Sequence, residues 1–157
     1  MRLAKFIAAA LLAVPAFAFA ATPVTNTFKV SAEVKSVCTV SATDIVIPSY
    51  DPNAAAPTTQ TGTVNVTCTR GTPYTTTLSS TTGFKLTGPG GATLAYQIFQ
   101  GSGTGGTVWA NATTSNPYAG SAPSRAAVAY LATASIAAAQ DVAAGIYADT
   151  VTVTVNY

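Results

Sequence analysis

The stretch Gly145 to Tyr157, GIYADTVTVTVNY, constrains the fold more than any other part of the chain. Tyr147, Asp149, Val151, Val153, Val155 and Tyr157 fall on one face of an extended chain. Ile146, Ala148, Thr150, Thr152, Thr154 and Asn156 fall on the other. This period-2 alternation, rich in β-branched residues, predicts one long strand with a wet threonine face and an apolar face turned to a core. No further strand follows Tyr157. A long apolar edge strand invites pairing with another chain unless something covers it.

The other end of the sequence reads as a leader. Met1, Arg2 and Lys5 make a positive start, and Phe6 to Val14 is an apolar run too short to span a bilayer as a helix. Ala18-Phe19-Ala20 is an A-x-A cleavage site, so residues 1–20 are expected to be a secretory signal peptide. A short buried N-terminal helix is the competing reading. Cleavage after Ala20 leaves 157 − 20 = 137 residues, the size of one domain.

What remains is nearly free of charge. Lys29, Lys35, Arg70, Lys85 and Arg125 stand against Glu33, Asp44, Asp51, Asp141 and Asp149, which balance to zero. Nucleic-acid binding needs a Lys/Arg-rich face, and none is present. No second long apolar segment follows the leader, so the mature chain is not expected to insert in a membrane. The only cysteines are Cys38 and Cys68. In an exported chain two cysteines predict one disulfide. The loop of about 30 residues would be worth roughly 3–4 kcal/mol in the loop-entropy model. Two thiols and no histidine do not make an ordinary zinc site.

Between the two ends the chain reads as short strands separated by Gly, Pro and Asn turns. Thr27 to Val34 alternates Phe28, Val30, Ala32 and Val34 against Thr27, Lys29, Ser31 and Glu33. Lys35-Ser36 breaks the pattern and Val37 to Val40 resumes it. Asp44 to Ile47 is apolar and ends at Pro48. Ser49 to Thr61 reads as a loop, and Thr63 to Thr69 as a strand carrying Cys68. Tyr74 to Ser79, Phe84 to Leu86, Thr93 to Gln100 and Thr107 to Ala110 continue the series, with a flexible turn at Gly101 to Gly106. Asn111 to Arg125 reads as a polar loop. Ala126 to Ala134 is read as strand rather than alanine-rich helix, because no capping box precedes it. Seven or eight strands of this kind predict an all-β, immunoglobulin-like sandwich.

Little of this chain can carry chemistry. Without histidine, Ser–His and Cys–His catalysis are excluded. The five acids are scattered and read as a solvated surface rather than a carboxylate pair. The Gly101–Gly106 turn lacks the Lys-Ser/Thr ending of a phosphate loop. No enzyme activity, cofactor or metal is therefore expected. Asp141, Gly145 and Tyr147 read as a corner, with Gly145 allowing a sharp turn and Tyr147 bonding back to it. Trp109 reads either as packed at the sandwich end or as an aromatic ligand platform.

Taken together, several motifs resemble the spore coat protein U domain family, which includes subunits of archaic chaperone–usher pili. They are F-x-V-x-A-x-V from Phe28 to Val34 with Cys38 just after, and TVNVTCTRGTPY from Thr63 to Tyr74. L-x-Y-x-I-F from Leu94 to Phe99, the Trp109 segment and the pattern from Gly145 to Tyr157 complete the set. The chain departs from the family pattern at Ile47-Pro48 and at Ala110.

The resemblance implies an incomplete immunoglobulin-like β-sandwich that lacks its last strand and is complemented by a donor strand. Residues 21–36 would be the N-terminal extension and residues 37–157 the pilin-like domain. A periplasmic chaperone fills the gap first, and in the fibre the extension of the next subunit replaces it at an outer-membrane usher. The implied partners are thus copies of this chain or related pilins, the chaperone and the usher. The implied location is the periplasm and then a surface fibre, serving adhesion or biofilm formation. Phe28, Val30, Ala32 and Val34 would be the donor residues, and Val151, Val153, Val155 and Tyr157 would wall the acceptor groove. Burying the four donor side chains would contribute roughly 5–8 kcal/mol before entropy. Donor and acceptor surfaces differ, so the contact is head-to-tail and open-ended. The alternative is a secreted monomeric binding module with its N-terminal strand packed in cis, using Trp109 and loop tyrosines.

Overall fold

The computed structural model describes residues 21–157, and the expected signal peptide at 1–20 lies outside them. Residues Val34–Tyr157 form one compact unit; residues 21–33 precede it as a separate one. Nine strands occur among the described residues: β1 Cys38–Ala42, β2 Thr58–Cys68, β3 Pro73–Ser80, β4 Lys85–Thr87, β5 Thr93–Gln100, β6 Val108–Ala110, β7 Tyr118–Ser121, β8 Val128–Ile136 and β9 Val151–Asn156. All pairings are antiparallel. One sheet runs β1-β2-β8-β5-β4, with β6 also on β5, and the other runs β7-β3-β9. The two inner faces make a sandwich over one core, as alternating strands require.

The core follows the alternation of the strands. Val64, Val66 and Cys68 of β2 point inward, with Ala132, Ala134 and Ile136 of β8, and Tyr74, Thr76 and Leu78 of β3. The stretch expected as strand from Ala126 to Ala134 is strand over Val128–Ile136, two residues further on, and β8 pairs along nine residues of β2. Cys38 and Cys68 are directly opposite in the β1–β2 register and form a disulfide. It ties an edge strand to its neighbour and closes a loop worth roughly 3–4 kcal/mol of unfolded-state entropy.

Four expectations need correction. First, β2 begins at Thr58 rather than Thr63. Its early part, Thr58 to Thr61, is mostly exposed and polar, so apolar periodicity could not reveal it, yet it pairs with Ile136 to Thr133 of β8. Second, the Asn111–Arg125 loop contains β7, whose sequence Tyr-Ala-Gly-Ser has no strand-like pattern. Gly120 is needed there by close approach: a Cβ would lie 2.7 Å from the Tyr130 hydroxyl and 3.1 Å from Tyr74. Third, the terminal strand spans only Val151–Asn156. The alternation of burial nevertheless runs from Tyr147 to Asn156. The earlier part meets the first sheet instead, through a bridge between Ala148 and Thr87. Fourth, Thr27 to Val34 forms no strand, and Phe28, Val30 and Val34 are exposed. An amphipathic strand needs a sheet edge and a core to be one.

Candidate functional site

The three-stranded sheet has two edges, β7 and β9, and β7 pairs only with β3. β9 pairs with β3 on one side only. The six-stranded sheet likewise ends at β1, which pairs only with β2. Beyond β1 the chain continues as a strap from Thr43 to Tyr50. Thr43 still pairs with Thr63, its N–H donating to the Thr63 carbonyl at 2.9 Å. From Asp44 to Ser49 the backbone makes no hydrogen bond among the described residues. Ile45 and Ile47 face inward and Val46 outward, an alternation typical of a strand without a partner. The far end of the strap is held by Tyr50, whose hydroxyl donates to the Ala137 carbonyl and accepts the Gln140 N–H.

Between the strap and β9 lies a groove of about 710 Å³. Its floor is apolar and comes from both sheets: Val64, Leu78, Ile98, Ala132, Ala134 and Ile136. The alanines keep the floor low, and Gly62 lets the strap pack closely on β2, since a Cβ there would sit 2.7 Å from Ile45 Cγ1. Its rims carry Val46 and Ile146, both largely exposed. Val151 and Val153 are among its lining residues. Val155 packs against the core beyond the groove lining, and Tyr157 is 61% exposed past the end of β9.

One end of the groove is closed by a polar knot. Asp149 Oδ2 accepts the Ser80 and Tyr96 hydroxyls at 2.7 Å each, and Oδ1 accepts the Thr150 N–H at 2.7 Å. Because Tyr96 is on β5 and Ser80 on β3, this carboxylate joins the two sheets. Burial pushes the Asp149 pKa up, but hydrogen bonds from Ser80, Tyr96, Thr82 and Thr150 outweigh it and hold it below the ordinary value. Burial, then Asp149, pushes the Tyr96 hydroxyl well above its usual range, so it stays a donor. Reading all five acids as solvated surface was therefore wrong for Asp149. The available signal was its place on the apolar face with Val151 and Val153.

The corner is built by contact rather than by charge. The Tyr147 hydroxyl donates to the Ala143 carbonyl at 2.7 Å. Its ring lies where a Cβ on Gly88 would be, and Gly145 leaves room for the Pro89 ring. Asp141 is exposed and takes no part in these bonds. Trp109 is fully buried, donates its indole N–H to the Thr76 carbonyl at 3.3 Å and meets Tyr118 edge-on. It is core, which removes the aromatic platform that a ligand-binding module would have used.

Among the described residues no three His, Cys, Asp or Glu side chains are grouped to hold a metal ion. A second depression of about 320 Å³ is lined in part by Lys85, Gln97, Asn111 and Gln140. There the Gln140 amide is engaged with both the N–H and the carbonyl of Ala95, as a neighbouring strand would be. No described helix is long and apolar enough to cross a membrane.

Comparison with known proteins adds two findings. The model of the Spore Coat Protein U domain matches residues 24–154. Among solved structures, the fold is similar to a chain in the crystal structure of the CsuC–CsuE chaperone–tip adhesion subunit pre-assembly complex from archaic chaperone–usher Csu pili of Acinetobacter baumannii. The identity is 23%, the TM-score 0.55, and the match covers 79% of this chain and 40% of that one. This chain thus spans less than half the length of that neighbour. No curated protein matches the chain.

Proposed function

The chain belongs to the Spore Coat Protein U domain family, and from that premise we propose that it is an exported structural subunit of a surface fibre, joined to its neighbours by strand addition. The observation that carries this reading is the groove of about 710 Å³ between β9 and the strap, with an apolar floor and two unpaired backbone edges. The proposed occupant is the N-terminal segment of another copy. Phe28, Val30, Ala32 and Val34 would face the floor, and Lys29, Ser31 and Glu33 would face water. Phe28 is 89% exposed in the single chain, so its apolar area is available to another molecule. Val24 is in phase with the same face and is also exposed, which extends the candidate donor beyond Phe28.

Strand addition here would satisfy backbone groups on both sides at once, along β9 and along Asp44–Ser49. The groove and the segment are different surfaces, so each subunit offers one of each and the assembly grows head-to-tail. Before assembly the same groove needs a temporary occupant, a role for a periplasmic chaperone, with an outer-membrane usher as the place of exchange. The solved neighbour, a chaperone–subunit complex, supports the chaperone part of this reading. Adhesion or biofilm formation is the proposed use of the fibre. The test is co-expression with a cognate chaperone and usher. Fibres are expected from the intact chain and not from chains lacking residues 21–34 or carrying Val30→Asp. Unchanged fibres from both variants would refute strand exchange through this segment.

A further inference from the structure

The residues just before β1 are held in a way that bears on which groove the N-terminal segment enters. Val37 extends the β1–β2 ladder by one step, its carbonyl accepting the Thr69 N–H at 2.9 Å. The Thr69 hydroxyl accepts the Val37 N–H at 3.1 Å and donates to the Lys35 carbonyl at 3.1 Å. Thr72, itself buried, donates its hydroxyl to Ser36 Oγ at 3.3 Å. Residues 35, 36 and 37 are therefore all bonded to the Thr69–Thr72 turn. The disulfide fixes the register one residue further on.

These three residues are also the only chain available for a reversal. For the segment ending at Val34 to enter the groove of its own sandwich, it would have to double back beside β1 as a hairpin. Its turn would be Lys35-Ser36 or Lys35-Ser36-Val37, the short loops that hairpins use. A turn there cannot keep the extended, bonded path that Thr69 and Thr72 impose. The strap lies at the opposite end of β1, past Ala42.

We infer that Thr69 and Thr72 are positioning residues that block closure of the chain's own groove by its own N-terminal segment, leaving that segment to a second copy. This rests on the strand-addition reading above. It assigns a role to two hydroxyls outside the groove, and it makes the choice between cis and trans a property of three residues.

The experiment uses the purified protein, a synthetic peptide of residues 21–34, thermal melting and light scattering. Wild type is expected to bind the peptide, with a melting temperature that rises with peptide concentration. Thr69→Val with Thr72→Val keeps the β-branched shapes and removes both hydroxyls. It is expected to be a monomer whose melting temperature is independent of its own concentration, with peptide affinity at least ~10-fold weaker because the groove is already filled. Thr69→Ser with Thr72→Ser restores the hydroxyls and should restore wild-type binding. Lys35→Asn with Ser36→Gly favours the hairpin from the other side, by supplying its preferred turn, and should give the same closed monomer. Should the valine variant not fold, this turn variant decides. Peptide binding by wild type, and equally strong binding by the valine or turn variant, would overturn the clamp alone. No peptide binding by wild type would overturn the strand-addition reading and the clamp with it.

Discussion

The two edges of the three-stranded sheet are finished in opposite ways. On the β7 edge the sandwich is closed by aromatic rings. Trp109, Tyr118 and Tyr130 contact one another in series, with Tyr118 and Tyr130 ring centres 4.3 Å apart. The Tyr74 and Tyr130 hydroxyls meet at 2.6 Å. Burial, with Tyr74 and Tyr118 adding to it, pushes the Tyr130 pKa above its ordinary value. On the β9 edge the same sheet ends in half-buried valines, an apolar floor of small residues and a strap with free backbone. One edge is built for stability. The other leaves apolar side chains and unpaired backbone at the surface.

That contrast predicts unequal responses to similar changes. Trp109→Ala, at the closed edge, is expected to destabilise by about 3–5 kcal/mol, because it removes a fully buried ring and leaves a cavity. Denaturant unfolding measures this, and a loss below about 1 kcal/mol would break the comparison. The knot at the end of the groove comes next. Asp149→Asn is expected to destabilise by about 1–2 kcal/mol at neutral pH, since hydrogen bonds to a charged acceptor are replaced by weaker ones. The folded-state pKa of Asp149 is lowered, so its contribution is complete above the unfolded carboxylate value of about 4 and is lost as pH falls through the folded value. A stability profile in acid should therefore be flatter for the Asn variant than for wild type.

At the open edge, Val153→Ala is expected to cost the isolated chain only about 1 kcal/mol, because the side chain is half exposed. The same change should weaken peptide 21–34 binding, as titration would show. The smallest effect belongs to Thr76. Its hydroxyl is buried without a hydrogen-bond partner among the described residues. Thr76→Val replaces it by a methyl of the same shape and should leave stability unchanged or raise it by up to about 1 kcal/mol.

The open edge was far more legible in the sequence than the closed one. β9 alternates between water and core, so period-2 reading found its faces but over-extended it, by several residues at its start and by Tyr157 at its end. β7 could not be found that way, because Gly120 is there to admit two tyrosines from other strands rather than to fill a face. The first residues of β2, Thr58 to Thr61, were hidden for a related reason: they pair through their backbone while their side chains stay mostly exposed. The strap is a subtler case. Asp44 to Ile47 reads as apolar chain, but only the sheet topology places it across the gap from β9. Asp149 was misjudged because composition counts a charge without its partners, and those partners lie 53 and 69 residues away in sequence.

The central claim is that the groove accepts a strand along the β9 edge. Residue-resolved amide hydrogen exchange, measured with and without the 21–34 peptide, tests it most directly. Slowed exchange is predicted for amides in Val151–Asn156 and in Asp44–Ser49, with little change in β7. Unchanged exchange along both open edges, with the peptide bound, would contradict the account.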